Sequence, residues 1–252
     1  VVVFDRNGEF LTSWGSEFRG GAHGLDIRRE KEGEVLYHCD TRRRLVVKTS
    51  LDGGTVWQQS FPGEAGVYES ADRWCPTNVA FAPDGGFFVG DGYGSSYIFR
   101  YDADGRFMET VATPGSGERE VSCPHGLWVD DRTDVPTLIV ADRRNRRLQR
   151  FTLEGEHLEF VSAGIRRPCH FKTRGKHLLV PDLESIITIL DGDDNVVAAL
   201  GDGHPTDLRG KPRDSFVPGK FIHPHDAIWL DNGDILVAEW VPVGRVTLLK
   251  RI

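Results

Sequence analysis

The sequence predicts an all-β protein, a β-propeller of six blades of which five full blades and an N-terminal half-blade are visible. Three observations carry this. A short pattern recurs at Gly21-Ala22-His23-Gly24, Cys75-Pro76-Thr77-Asn78, Cys123-Pro124-His125-Gly126, Pro168-Cys169-His170 and Pro224-His225-Asp226. Its key position holds His23, Thr77, His125, Cys169 and His225, spaced by 54, 48, 44 and 56 residues, which is the period of a blade of four short strands. An acid then closes an apolar run 13 to 17 residues after each key position, at Asp40, Asp91, Asp142, Asp182 and Glu239. Such an acid is expected to accept bonds from amides of the following turn.

Taken in order, Val1 to Leu11 reads as a strand, a polar turn with Gly8 and a second strand, the outer hairpin of a blade. The first full blade starts at His23 and continues through Glu34 to Asp40, Leu45 to Lys48 and Thr55 to Trp57. The second uses Asn78 to Phe81, Phe87 to Asp91, Tyr97 to Tyr101 and Phe107 to Val111. The third uses Leu127 to Val129, Leu138 to Asp142, Leu148 to Phe151 and Leu158 to Val161. His177 to Asp182, Ile186 to Leu190 and Val196 to Leu200 give the fourth, and Asp234 to Glu239 with Arg245 to Leu249 the fifth. Insertions at 61–73 and 201–221 are rich in Gly, Pro and charge and read as loops, candidate lids over one face.

A repeat that runs from end to end argues for one domain over residues 1–252. At 39% hydrophobic and 27% charged, with no apolar run near the roughly 18 residues of a membrane span, the chain is expected to be soluble and outside the membrane. A net charge of −7 gives no reason to expect nucleic acid, so the Arg42 to Arg44 and Arg143 to Arg147 clusters are expected to decorate strand edges and loops. Four cysteines without a CxxC motif form neither a disulfide scaffold nor a zinc knuckle; Cys75, Cys123 and Cys169 read as small buried thiols at blade starts. The chain opens inside a strand without Met, which predicts residues upstream and leaves the compartment open, with the cytoplasm favoured. A monomer is expected.

The first strand of each blade lines the central channel, so the key residues should form a ring at one end of it. A lone histidine there is best read as a hydrogen-bonded filler. Three in one register, His23, His125 and His225, instead suggest a metal held by three neutral imidazoles with a position left for water or substrate, as a catalytic zinc requires. His170 is offset by one residue, and reads either as a further ligand or as a partner of a neighbouring strand. The turn after each second strand opens at the same end and carries Tyr93, Arg143 and Trp240. A tyrosine beside such a metal can act as a general base, and an arginine can hold a carboxylate.

Cys75-Pro76-Thr77-Asn78-Val79-Ala80 with Asp91-Gly92-Tyr93-Gly94-Ser95-Ser96, Pro124-His125-Gly126-Leu127 with Ala141-Asp142-Arg143, Ala22-His23-Gly24-Leu25, and Pro224-His225-Asp226 together resemble the NHL-like propellers, above all the peptidyl-hydroxyglycine lyases of peptide C-terminal amidation. The resemblance implies zinc on His23, His125 and His225, Tyr93 as base and Arg143 near the substrate carboxylate. It also implies a structural calcium on Asp226 and the carbonyl of Leu25. The chain departs from the family at His223, where the lyases carry Met, at Gly94, where they carry a disulfide Cys, and at Tyr97, where their motif closes with Arg.

The expectation is therefore a zinc-dependent lyase for a peptidyl-hydroxyglycine or another small hydroxylated substrate. Two alternatives stand beside it: a metal-dependent sugar or lactone isomerase or hydrolase on the same ring, and a non-catalytic NHL module that binds protein or peptide on its face.

Overall fold

The computed structural model describes residues 1–205 and 207–251. β1 (Val2–Phe4) and β2 (Phe10–Ser13) form an antiparallel hairpin, closed by Asp5, whose carboxylate accepts the amides of Asn7 and Glu9, while Gly8 takes the positive φ the turn requires. Asp102 and Asp191 repeat this chemistry in later hairpins.

Five further sheets follow, each wound antiparallel in chain order. The first contains β3 (Ala22–Glu30), β4 (Gly33–Asp40), β5 (Leu45–Ser50) and β6 (Thr55–Gln59). The second contains β7 (Asn78–Phe81), β8 (Phe87–Gly90), β9 (Ile98–Tyr101) and β10 (Phe107–Pro114), to which the short β11 (Glu120–Val121) adds in parallel. The third is β12 (Pro124–Asp130), β13 (Thr137–Asp142), β14 (Arg147–Phe151) and β15 (His157–Val161). The fourth is β16 (Lys172–Arg174), β17 (His177–Asp182), β18 (Ile186–Leu190) and β19 (Val196–Leu200). The fifth is β20 (Pro224–Trp229), β21 (Ile235–Glu239) and β22 (Arg245–Leu249). These five sheets are the blades of a β-propeller, and β22 pairs within its own blade as the repeat predicts. Trp14 meets His38 edge-on and Phe18 stacks on the same ring, seating the segment after the N-terminal hairpin against blade one.

The cores lie between blades. Phe88, Ile98 and Val111 of blade two interlock with Leu127, Val140 and Phe151 of blade three, and three further clusters join blades one to two, three to four and four to five. A middle strand is covered on both faces, so runs such as Leu138-Ile139-Val140-Ala141 are apolar without alternation. At about 1.5–3 kcal/mol for each large apolar side chain fully buried, these interfaces hold the blades in sequence around the axis.

Each closing acid is buried, and four of the five do more than cap the turn after them. Asp40 accepts the amides of Arg42 and Arg43, but Asp91 also takes the amide of Cys75, Asp142 that of Ser122, Asp182 those of Arg166 and Arg167, and Glu239 that of Ile222. Four of the five thus tie the segment leading into a first strand to the end of the second strand of the same blade. Arg42, Arg144 and Arg146 are exposed as expected, but other arginines of the clusters turn inward. Arg43 binds Asp40, Arg147 binds Asp142 and Arg245 binds Glu239, while Arg44 donates to the carbonyls of Asp72 and Trp74.

The 61–73 insertion differs from the open lid its composition suggests. Phe61, Ala65, Val67 and Tyr68 pack on the core between blades one and two, and the Tyr68 hydroxyl donates to Asp91. The second insertion is pinned along blade five, where Arg213 donates to the carbonyl of Val243 and Arg209 stacks on Trp240.

Candidate metal centre

The start of each first strand reaches sideways to the next blade. His23 Nδ1 lies 2.7 Å from the Thr77 carbonyl, the Thr77 hydroxyl donates to the Pro124 carbonyl at 2.8 Å, and His125 Nδ1 lies 2.9 Å from the Cys169 carbonyl. A carbonyl only accepts, so both Nδ1 atoms carry the proton and both Nε2 atoms present lone pairs to the axis. This close approach requires glycine next to each histidine. A Cβ on Gly24 would stand 2.5 Å from the Thr77 carbonyl oxygen, and one on Gly126 would overlap that of Cys169.

The structure brings His23, His125 and His225 together: one ring nitrogen of each lies within 4.8 Å of the others. Their ring centroids are 4.7, 4.7 and 5.3 Å apart, all steeply inclined to one another. Burial lowers the pKa of His23 to about 4 and of His225 to about 3, with the Arg143 cation adding to both; burial also holds His125 well below the usual imidazole range. Three imidazoles kept neutral at physiological pH, with one ring nitrogen of each close to a common point, have the donor chemistry of a three-nitrogen metal site. Thr77 and Cys169 complete the ring at the same level but offer no comparable ligand; both border the small cavity there, of about 150 Å³.

Tyr93 comes from the turn after β8, where its amide donates to the Cys75 carbonyl. Its hydroxyl lies 2.9 Å from His125 Nε2 and 3.2 Å from His23 Nε2, at the point on which the ring converges. Burial raises the phenol's pKa and Arg143 opposes that rise. Arg143, from the turn after β13, has its guanidinium carbon 5.3 Å from the centre of the Tyr93 ring and donates to Cys123 Sγ at 3.1 Å. No carboxylate pairs with Arg143 among the described residues. Trp240 occupies the same turn in blade five and stands half exposed. His223, two residues before the ring, points to the Leu183 carbonyl at 2.5 Å.

His170 borders the same cavity but is paired with two carboxylates instead of joining the ring. Its Nδ1 lies 3.0 Å from Asp226 Oδ1 and its Nε2 3.6 Å from Asp26 Oδ2, and these two carboxylates outweigh burial to raise its pKa to about 9. Asp26 also accepts from Lys172 at 2.7 Å and from the Asn78 amide at 2.8 Å. Asp26, Lys172 and Asn78 were not expected to belong here. Yet Asp26 and Lys172 both stand three residues after a key position, in blades one and four, with opposite charge. The register that found the ring contains this signal too. Cys123 was read as a filler; its sulfur is an acceptor for Arg143, and its backbone holds a positive φ of 57°.

Fold and site define a β-propeller with three histidines at one mouth of its channel. The chain resembles the peptidyl-alpha-hydroxyglycine alpha-amidating lyases: it is 28% identical to lyase 2 of Drosophila melanogaster over 249 residues, 94% of the chain and 56% of that protein. It is 29% identical over 155 residues to a probable lyase of this kind from Caenorhabditis elegans, 60% of the chain and 43% of that protein. The chain thus spans about half the length of the curated relatives it matches. Among solved structures, virginiamycin B lyase from Staphylococcus aureus superposes with a TM-score of 0.60 at 12% identity, covering 91% of the chain and 70% of that structure, a likeness of fold. No protein-family model matches the chain.

Proposed function

We propose that the chain is a metal-dependent lyase of the peptidyl-hydroxyglycine type, acting on that substrate or on another small hydroxylated one. The observation that carries the reading is the convergence of three neutral imidazoles, a phenol and an arginine without a carboxylate partner at one mouth of the channel. His23, His125 and His225 are the residues to hold the metal, with zinc suited to three imidazoles. A dication there would polarise the substrate hydroxyl or carbonyl and lower the pKa of groups beside it.

In a peptidyl-α-hydroxyglycine one carbon carries a hydroxyl, the amide nitrogen and a carboxylate. Arg143 is positioned to bind the carboxylate, since its guanidinium is otherwise matched only by thiol and phenol. Tyr93 as the phenolate, the form the Arg143 cation favours, would take the hydroxyl proton; the electrons left on oxygen form the carbonyl, the carbon–nitrogen bond breaks, and the nitrogen leaves as an amide after receiving that proton back from Tyr93. The products are a peptide amide and glyoxylate, and nothing is oxidised or reduced. Nδ1 of His23 and His125 stays anchored on backbone carbonyls throughout, which keeps both Nε2 lone pairs on the axis.

The test compares metal-stripped and zinc-reloaded protein on a peptidyl-α-hydroxyglycine. Glyoxylate release that depends on reloading is the expected outcome. No release from protein that has taken up zinc overturns the substrate assignment.

A further inference from the structure

The calcium that the family resemblance places on Asp226 and the Leu25 carbonyl does not fit the residues found there. Calcium asks for six to eight oxygen ligands at roughly 2.3–2.6 Å. Asp226 Oδ1 is already engaged by His170 Nδ1 at 3.0 Å and by the amide of Ala227 at 2.8 Å. The nearby carboxylate of Asp26 is also taken: Oδ1 by Lys172, Oδ2 by Asn78 with His170 Nε2 at 3.6 Å. That Nε2 is buried and has no other partner. His170 hydrogen-bonds Asp226 through Nδ1 and faces Asp26 at ion-pair distance through Nε2, so Asp226, His170, Asp26 and Lys172 alternate in sign and sum to zero. A divalent ion added to this set would unbalance it by two charges in a site where Asp26 and His170 are buried.

We infer that this position is closed by the chain's own cations, His170 and Lys172, and takes no calcium. His170 acts there as a built-in counter-ion, joining β20 through Asp226 to β3 through Asp26. Lys172 secures the far oxygen of Asp26 and rests on Trp128, 4.4 Å from its ring. Because Asp226 follows His225 directly, the cluster also fixes the strand that carries the third ring histidine. The inference concerns binding of calcium and stands or falls separately from the lyase reading.

The experiment is a calorimetric titration of calcium into the zinc-loaded parent, with thermal melts in calcium and in a calcium chelator. The expected result is no saturable heat and the same Tm in both. Saturable binding that Asp226→Asn abolishes overturns the inference; binding that survives Asp226→Asn lies elsewhere and leaves it standing. The variant His170→Val/Lys172→Met leaves both carboxylates uncompensated, so its Tm should fall by roughly 10 °C, and calcium, unlike magnesium, should restore part of the loss. A variant that melts with the parent overturns the inference. If the double variant does not fold, Lys172→Met alone is put through the same melts, and an unchanged Tm there has the same meaning.

Discussion

The hydroxyl of Tyr93 lies 2.9 Å from Nε2 of His125, so the turn after β8 of blade two caps a ring nitrogen supplied by the first strand of blade three. A phenol in that place touches the point where the three imidazoles converge, and it can exchange a proton with whatever binds there. Tyr93→Phe keeps the ring and its packing on Arg143 but removes the exchangeable proton. Turnover should fall by about two orders of magnitude or more, the usual worth of a positioned acid or base, with KM little changed. Steady-state kinetics on the substrate that turns over decides this; parental kcat in the variant rules Tyr93 out as the base.

His125→Ala should strip the metal and leave the propeller folded. The lost ring held one bond to the Cys169 carbonyl and one lone pair on the axis, and two remaining imidazoles make a poor site. Metal analysis and circular dichroism of the purified variant check it. Full zinc occupancy would refute the three-histidine site.

Arg143→Ala should act on binding. At about 1.5–3 kcal/mol for a hydrogen bond to a charged group, KM for a carboxylate-bearing substrate should rise roughly 10- to 150-fold, and a carboxamide analogue should be hardly affected. Equal losses on both compounds would mean that Arg143 serves only to position Tyr93.

Asp142→Ala tests the acid that closes the second strand. Asp142 is fully buried, accepts the Ser122 amide at 2.7 Å and pairs with Arg147. Its removal takes the shared acceptor from the Ser122 amide, the Asn145 side chain and Arg147 Nε, at a cost of about 3 kcal/mol or more, and Tm should drop by roughly 10 °C. A drop within a degree or two would show that solvent replaces the carboxylate at no cost.

The metal-free protein should lose stability as pH falls from about 6.5 to about 4. Unfolded histidines protonate near 6.5, whereas His23 in the fold does so only near about 4 and His225 near about 3. In that window the unfolded chain binds more protons, so acid favours unfolding. Melts of the stripped protein across the range measure it, and His125→Gln/His225→Gln should flatten the curve. A flat curve in the parent would show that the ring is not held neutral by burial.

The ring was readable because its members hold one register of a repeat, and a repeat places equivalent residues at equivalent depth. The ion pair of Asp26 with Lys172 spans 146 residues, and each residue alone looks like an ordinary charge in a strand. Only the geometry of the channel shows that the two positions face each other. Arg43 and Arg147 were misread as decoration because sequence gives charge but not reach, and their guanidinium groups extend back to the acids of their own blades. The core role of the 61–73 segment was signalled by Phe61, Val67 and Tyr68, which its Gly and charge content obscured. The two-residue β11 has too little pattern to be seen.

The carbonyl contacts between neighbouring blades also set an order in time. A nascent chain leaves the ribosome from its N-terminus, and His23 finds its orienting carbonyl only when Thr77 has emerged. His125 must likewise wait for Cys169, and the third histidine arrives a further 56 residues on. His23 and His125 are therefore each aimed by a stretch of chain made later than themselves. A three-nitrogen site can exist only once the chain has been made as far as His225.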